Sequence, residues 1–195
     1  NSAINQPIGS WDISSCTDIS GMFYGAHSFN QPLNSWDTSN VTDMETVFNG
    51  SGTKHNFNQP LSNWDTSKVT NMSQMFRDCR DFNHPLTTNG NKWDVSKVTT
   101  LNLMFRSAQS FDQDLSSWNL NSATNIQDMF LQSGMSKANL DTTLQAWCAN
   151  SSMASGLNLG QIPLNGTTET LDPVTTAAMS AKGMTATYVN GNSVY

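Results

Sequence analysis

Charge is scarce in this chain of 195 residues: 12% are Asp, Glu, Lys or Arg, and only nine are basic. A protein that grips phosphate backbones needs clustered Lys and Arg, and a formal net charge of −6 opposes that role. Nucleic acid is therefore not an expected partner. Long apolar runs are lacking too, and no stretch approaches the roughly 18–20 residues that would span a bilayer. The start, NSAINQP, has neither the basic residues nor the apolar core of a signal peptide. Cysteine is limited to three residues without a C-x-x-C pair, which points to neither a disulfide framework nor a zinc site. The H-E-x-x-H, G-x-S-x-G, P-loop and dinucleotide fingerprints are all missing. His27, His55 and His84 have no Cys or Asp nearby at triad or ligand spacing. The expectation is a non-enzymatic protein with no catalytic residue, no metal ligand and no cofactor.

Uncharged groups carry the polarity: 23 Asn, 25 Ser and 21 Thr. That balance is commoner on secreted and surface proteins than in cytosolic enzymes, so an extracellular or cell-surface location is expected. Ten Met, six Trp and 9% aromatic residues supply apolar surface that a disordered linker would lack. The length suits one domain with a core of its own.

An internal repeat organises the chain. Trp stands at 11, 36, 64, 93 and 118, and twelve residues after each comes a Phe: Phe23, Phe48, Phe76, Phe105 and Phe130. Phe29, Phe57 and Phe111 stand seven residues before their Trp, with Ile4 in that role for the first copy. These are five copies of a unit of about 25 residues, with a short insertion within 49–56 and another within 87–92. Leu33, Trp36 and Thr38 stand in an L-x-x-L-x-L arrangement, as do Leu61, Trp64, Thr66 and Leu115, Trp118, Leu120. That spacing predicts one short strand per unit, with the named residues pointing inward. Val41, Met44, Val47, Phe48 and Val69, Met72, Met75, Phe76 then follow at helical intervals, so each strand should return through a short helix or 3₁₀ turn. Thr17, Thr42, Thr70, Thr99 and Thr124 precede those stretches and read as their N-caps. An ice-binding face is the less favoured reading of that row.

The units FNQPLNSWDTSNVTDMETVF and FNQPLSNWDTSKVTNMSQMF resemble the BspA-like class of leucine-rich repeats, found in bacterial and protist surface proteins. The resemblance covers roughly residues 1–135 and implies an extracellular repeat domain that adheres to host, neighbour-cell or matrix molecules. The expected fold is an α/β solenoid: a leucine-rich-repeat-like, right-handed solenoid with short parallel strands and helical or 3₁₀ turns. Such an array needs its last apolar face covered, and residues 136–195 read as a small α+β C-terminal cap. Leu140, Leu144 and Trp147 lie on one helical face of 139–149. A second helix, 172–182, opens at Asp172-Pro173 and stops at Gly183, while Leu157–Leu164 and Met184–Val189 read as strands. The first copy has no such cover, so the natural chain is expected to continue upstream, and Ile4, Ile8 and Trp11 invite end-to-end homodimer formation.

For a binding site, the informative row is Asp12, Asp37, Asp65 and Asp94, each directly after its Trp, with Ser14, Ser39, Ser67 and Ser96 two residues on. In the strand reading these side chains share the concave face. They would recognise a cationic segment or a glycan of an extracellular partner, or simply satisfy their own turns as Asx motifs. Bridging calcium is a weaker option, because each copy offers one carboxylate and a hard cation demands more. The row Asn5, Asn30, Asn58, Asn83 and Asp112 reads as structural, and Thr87–Lys92 as a loop where partners could touch. Adhesion through the polar face is the preferred function. The alternative is a structural spacer or stalk within a larger surface protein.

Overall fold

The tryptophan period becomes a physical stack. In the computed structural model, which describes residues 4–87, 93–164 and 170–190, the five units lie one on the next. They are joined by parallel bridges Asp18↔Asp43, Asp43↔Asn71, Asn71↔Thr100 and Thr100↔Asn125. Each bridging residue stands seven places after its Trp, so the register of the stack is the register of the repeat. Further bonds run on from each bridge. The N–H groups of Gly21, Phe23 and Gly25 donate to the carbonyls of Glu45, Val47 and Asn49 at 2.8, 3.0 and 2.8 Å. Those of Thr46, Phe48 and Gly50 donate to Ser73, Met75 and Arg77, each at 2.9 Å. The same pattern continues from Gln74, Phe76 and Asp78, and from Leu103, Phe105 and Ser107.

The inter-unit contacts therefore fall where the sequence predicts a helical return, and the predicted strand segment is built differently. Around each Trp the backbone makes two turns closed within the unit: Trp36 N–H donates to Leu33 at 3.1 Å, and Val41 N–H to Thr38 at 2.9 Å. These turns recur at Trp64 and Val69 and at Trp118 and Ala123, and they spend the N–H groups that a ladder would need. Burial still follows the L-x-x-L-x-L pattern, since Leu33, Trp36 and Thr38 are at most 2% exposed.

No regular helix forms after Val41 or Val69, because left-handed residues interrupt the turns. The slot ten residues after each Trp holds Gly21, Thr46, Gln74, Leu103 and Asp128, with φ of 63, 56, 57, 58 and 54°. Such a residue aims the backbone amides at the neighbouring unit instead of at the carbonyl four residues back. The threonine row changes role accordingly. Thr42, Thr70, Thr99 and Thr124 are not N-caps; each donates both its N–H and its hydroxyl to the carbonyl of the equivalent threonine one unit earlier, with hydroxyl distances of 3.0–3.2 Å.

Inside the stack two aromatic columns run along its length. Phe23 stacks on Phe29 at 4.1 Å, Phe48 on Phe57 at 3.9 Å, Phe76 on Phe82 at 4.2 Å and Phe105 on Phe111 at 3.9 Å. Each indole also crosses to the unit before it: Trp36 Nε1 donates to Ile8, Trp64 to Leu33, Trp93 to Leu61 and Trp118 to Leu86, at 2.7–3.1 Å. A buried indole N–H left without an acceptor would cost about 1–3 kcal/mol, so the column fixes both packing and register.

The C-terminal part comprises α1 (Lys137–Ala149), β1 (Asn158–Leu164), α2 (Pro173–Lys182) and β2 (Thr185–Asn190), with β1 and β2 paired in parallel. Ser136 caps α1, and Asp172 caps α2 by accepting from Val174 N–H. Gly183, at φ 67°, ends α2. Asp141 ties the helices together, accepting from Thr175 Oγ1 at 2.6 Å and Asp172 N–H at 2.9 Å. Helix α1 also serves as a sixth member of the stack. Trp147 Nε1 donates to Leu115 at 3.0 Å and its ring lies 6.2 Å from Phe130, as Trp64 does with Leu33 and Phe48. Strand β1 closes the last unit, Leu159 accepting from Asp128 N–H at 2.9 Å. A side chain at Gly160 would collide with Asp128.

Two predictions follow from this backbone. A β-branched residue in left-handed conformation costs about 1–2 kcal/mol, and the first unit places glycine in the slot of Thr46. Thr46→Gly should therefore raise stability by about 0.5–1 kcal/mol after glycine's extra chain entropy is counted, read as a higher urea midpoint. The second concerns His55, which is fully buried. Its Nδ1 accepts from Phe57 N–H at 3.2 Å, so the ring proton sits on Nε2, 3.1 Å from the Phe23 carbonyl. Burial, with a smaller push from His27, holds its pKa down from 6.5 to about 4 against the Phe23 bond. The unfolded chain takes up this proton first as pH falls, so His55's contribution is complete above pH 6.5 and is lost progressively towards pH 4. At 1.36 kcal/mol per unit that amounts to about 3 kcal/mol, and His55→Gln should flatten the fall in melting temperature across this window.

Candidate functional site

The aspartate row stands on turns that each unit builds in the same way. Directly after the Trp, which is buried in every unit but the first, the chain exposes Asp12 and Asp37 and half-buries Asp65 and Asp94. Each carboxylate curls back on its own backbone: Ser14, Ser39, Ser67 and Ser96 donate their N–H groups to Oδ1 of Asp12, Asp37, Asp65 and Asp94 at 3.0, 3.0, 3.0 and 2.8 Å. Asn119 holds the equivalent turn in the fifth unit through Asn121 N–H at 3.1 Å. The four sequence-predicted Asp–Ser pairs are thus realised as Asx turns, and the turn itself needs an oxygen acceptor but no charge. Ser14 adds its hydroxyl at 2.7 Å. That bond and the Ser14 N–H hold the Asp12 carboxyl below its usual value, against a smaller upward push from Asp37.

Buried threonines set the spacing of the row. Thr38 Oγ1 donates to the Asp65 carbonyl at 3.0 Å, and Thr66 Oγ1 donates to that of Asp94 at 2.9 Å while accepting the Asp94 N–H at 2.8 Å. Trp36 and Trp64 lie 6.3 Å apart and Phe29 and Phe57 also 6.3 Å, whereas Phe23 and Phe48 near the bridges lie 5.5 Å apart. The wider spacing is on the tryptophan side.

The asparagine row is a continuous brace. Asn5 Oδ1 accepts the Asn30 N–H, Asn30 that of Asn58, Asn58 that of Asn83 and Asn83 that of Asp112, at 2.9–3.3 Å. Asp112 passes the pattern to the cap, accepting from Ser136 N–H at 2.7 Å and Asn139 Nδ2 at 2.8 Å. These oxygens are committed to backbone. Thr17, Thr42, Thr70, Thr99 and Thr124 are exposed, and the last four spend their hydroxyl protons on the row itself.

Of the remaining candidates, Cys16, Cys79 and Cys148 are free thiols. Cys79 is buried, bonds the Phe48 carbonyl through Sγ at 3.0 Å, and burial pushes its pKa well up. Among the described residues no group of three or more His, Cys, Asp or Glu side chains is placed to hold a metal ion, and no helix is long and apolar enough to cross a membrane. In the loop Thr87–Lys92, positions 88–92 lie outside the described residues. Sequence reasoning missed Thr38 and Thr66 as spacers of the row. It also missed Trp147 as a sixth stacked indole, although Leu144 and Trp147 repeat the spacing of Leu115 and Trp118.

Comparison with known proteins adds one finding. No curated protein and no solved structure matches the chain. The family model described as "Mycoplasma protein of unknown function, DUF285" matches residues 1–91 and again 86–155, its second match reaching past Trp147. The chain, most of whose length those two matches cover, belongs to the DUF285 family.

Proposed function

We propose that the stacked units constitute a right-handed, leucine-rich-repeat-like solenoid of the BspA-like kind, and that it works as a non-enzymatic extracellular module binding a protein or glycan. The observation that carries this reading is the aspartate row. Four carboxylates recur at one slot in the first four units, each with Oδ1 held by a backbone N–H. A row fixed in this way loses little conformational freedom when a partner engages it, which favours binding. The negative charge of the row gives the face an acceptor character suited to cationic side chains or sugar hydroxyls.

The fifth unit supplies the variant that separates charge from turn. Because Asn119 holds the same turn, the triple change Asp37→Asn, Asp65→Asn, Asp94→Asn should leave the melting temperature within a few degrees of the parent. On arrays of glycans and matrix proteins, with and without calcium, the parent should give reproducible binding that the triple variant loses. A folded parent silent on both arrays would favour the spacer reading and overturn adhesion.

The same proposal extends to self-association. Ile4, Trp11 and Met22 of the first unit are 44, 59 and 40% exposed, whereas the corresponding slots of later units are covered by their neighbours. Sedimentation across a hundredfold dilution should show a concentration-dependent dimer, weakened by Trp11→Ser. A profile monomeric throughout would exclude end-to-end pairing.

A further inference from the structure

The second unit breaks the pattern. Its insertion within 49–56 folds out through Ser51 and Gly52, at φ 53 and 85°, beside the slot thirteen residues after each Trp. That slot holds Tyr24, Asn49, Arg77 and Arg106 in successive units. Tyr24 is 52% exposed and Asn49 2%, so a short amide forms the floor between a ring on one side and a guanidinium on the other. The result is an open hollow of about 420 Å³ lined by Tyr24, Thr46, Asn49, Ser51, Gln74 and Arg77, within the size range of small-ligand sites.

The walls are fixed, and their unused groups are mostly donors. Tyr24 is held through its hydroxyl by Ser51 Oγ at 2.8 Å, leaving the ring face open. Asn49 Oδ1 accepts from Ser51 N–H at 2.7 Å. Gln74 Oε1 accepts from Asn49 Nδ2 at 3.3 Å and from Arg77 Nη1 at 2.9 Å, so the Gln74 amide group has its two N–H bonds to offer. Arg77 Nε is buried without a hydrogen-bond partner. The nearest acid, Asp78, lies 3.6 Å from it and gives the same oxygen to Gly52 N–H at 2.8 Å. Only three arginines occur in the whole chain, and two of them, Arg77 and Arg106, occupy this slot in adjacent units. The guanidinium of Arg77, which lines the hollow beside the Gln74 amide donor, matches a planar anionic acceptor. The exposed ring opposite matches an apolar face two units away, with adjacent units 5.5 and 5.7 Å apart at Phe23–Phe48 and Phe48–Phe76. A pyranose carrying a carboxylate offers both features in one residue.

We propose that this hollow binds a carboxylate-bearing saccharide, the carboxylate on the Arg77 guanidinium and the Gln74 amide, and the sugar ring against Tyr24. The site is separate from the aspartate row, so either can fail without the other. The test uses the full chain and a glucuronate-containing trisaccharide, with its carboxyl-reduced counterpart and a tripeptide bearing a free carboxylate as comparators, titrated by calorimetry and by NMR. The acidic trisaccharide should bind and the other two should bind at least tenfold more weakly. Arg77→Gln should weaken binding by about tenfold or more, as expected for a charge-assisted pair. Tyr24→Phe should retain binding and Tyr24→Ala should lose it, with melting temperatures confirming that each variant is folded. The triple asparagine variant of the aspartate row should bind as the parent does. Equal binding of the reduced sugar or the tripeptide, indifference to Arg77→Gln in a folded protein, or no binding at millimolar sugar would each overturn the assignment.

Discussion

The hydrogen bonds that one unit's backbone makes to the next are the constraint on which everything else depends. A unit of about 25 residues is too short to bury its own apolar face or pair its own amides, so it must pass both to a neighbour. Left-handed residues make this possible. At Thr46, Gln74, Leu103 and Asp128 the chain accepts a local cost of about 1–2 kcal/mol. In return, alternate N–H groups from Met44 to Gly50 and from Met72 to Asp78 point along the stack. The aromatic columns then follow, because the amides fix the register and the register places ring upon ring.

Each polar row repeats that service with a different side chain. Asparagine oxygens accept amides at one corner, threonine hydroxyls reach back to carbonyls at another, and indole N–H groups cross through the core. A single row would be enough to align two units. With several, any slip of one unit against the next breaks bonds at every corner at once, and that makes the stack specific as well as stable. The C-terminal end keeps the same rules while changing the backbone. Helix α1 delivers Trp147 to the place where a repeat unit would put its indole, Asp112 hands the asparagine row to Ser136, and β1 supplies the Leu159 carbonyl that Asp128 N–H requires.

Sequence periodicity disclosed the contents of the core and the order of the units, because burial of Trp, Phe and Leu leaves a direct imprint on spacing. The asparagine row was legible for the same reason, and so were α1, α2, β1 and β2 to within about two residues at their ends, with Asp172 and Gly183 carrying ordinary capping chemistry at α2 and the Ser136 cap of α1 passed over. The backbone between core residues was not legible. Apolar intervals of three, three and one fit a helix, but a run of turns closed at three residues buries the same positions. The residues that decide between them are a threonine, a glutamine, a leucine and an aspartate in left-handed conformation, and none of these types announces it. The inter-unit contacts were accordingly expected around Trp36 and Trp64 and are found seven residues later. The aspartate turns could be read from D-x-S spacing, whereas Thr38 and Thr66 looked like ordinary inward positions whose hydroxyls had no assigned work.

A regular stack places the same side chain at the same slot in every unit, and the energetics of register reward such sameness. Recognition of a particular ligand needs the opposite, several unlike groups converging on one point. In this chain unlike groups converge where the period is broken. There the short Asn49 fills the slot that Tyr24 and Arg77 hold in the neighbouring units, the insertion after it folds out through Ser51 and Gly52, and Tyr24, Gln74 and Arg77 stand around the gap. The uniform aspartate row, by contrast, offers one chemistry many times over. On the proposed reading, a row of that kind suits an extended partner gripped at repeated points, where several weak contacts add through effective concentration, and a hollow suits a single sugar residue held in one orientation. The two surfaces place different demands on the fold, and the stacked core meets both because its hydrogen-bonded rows hold the register on either side of the interruption.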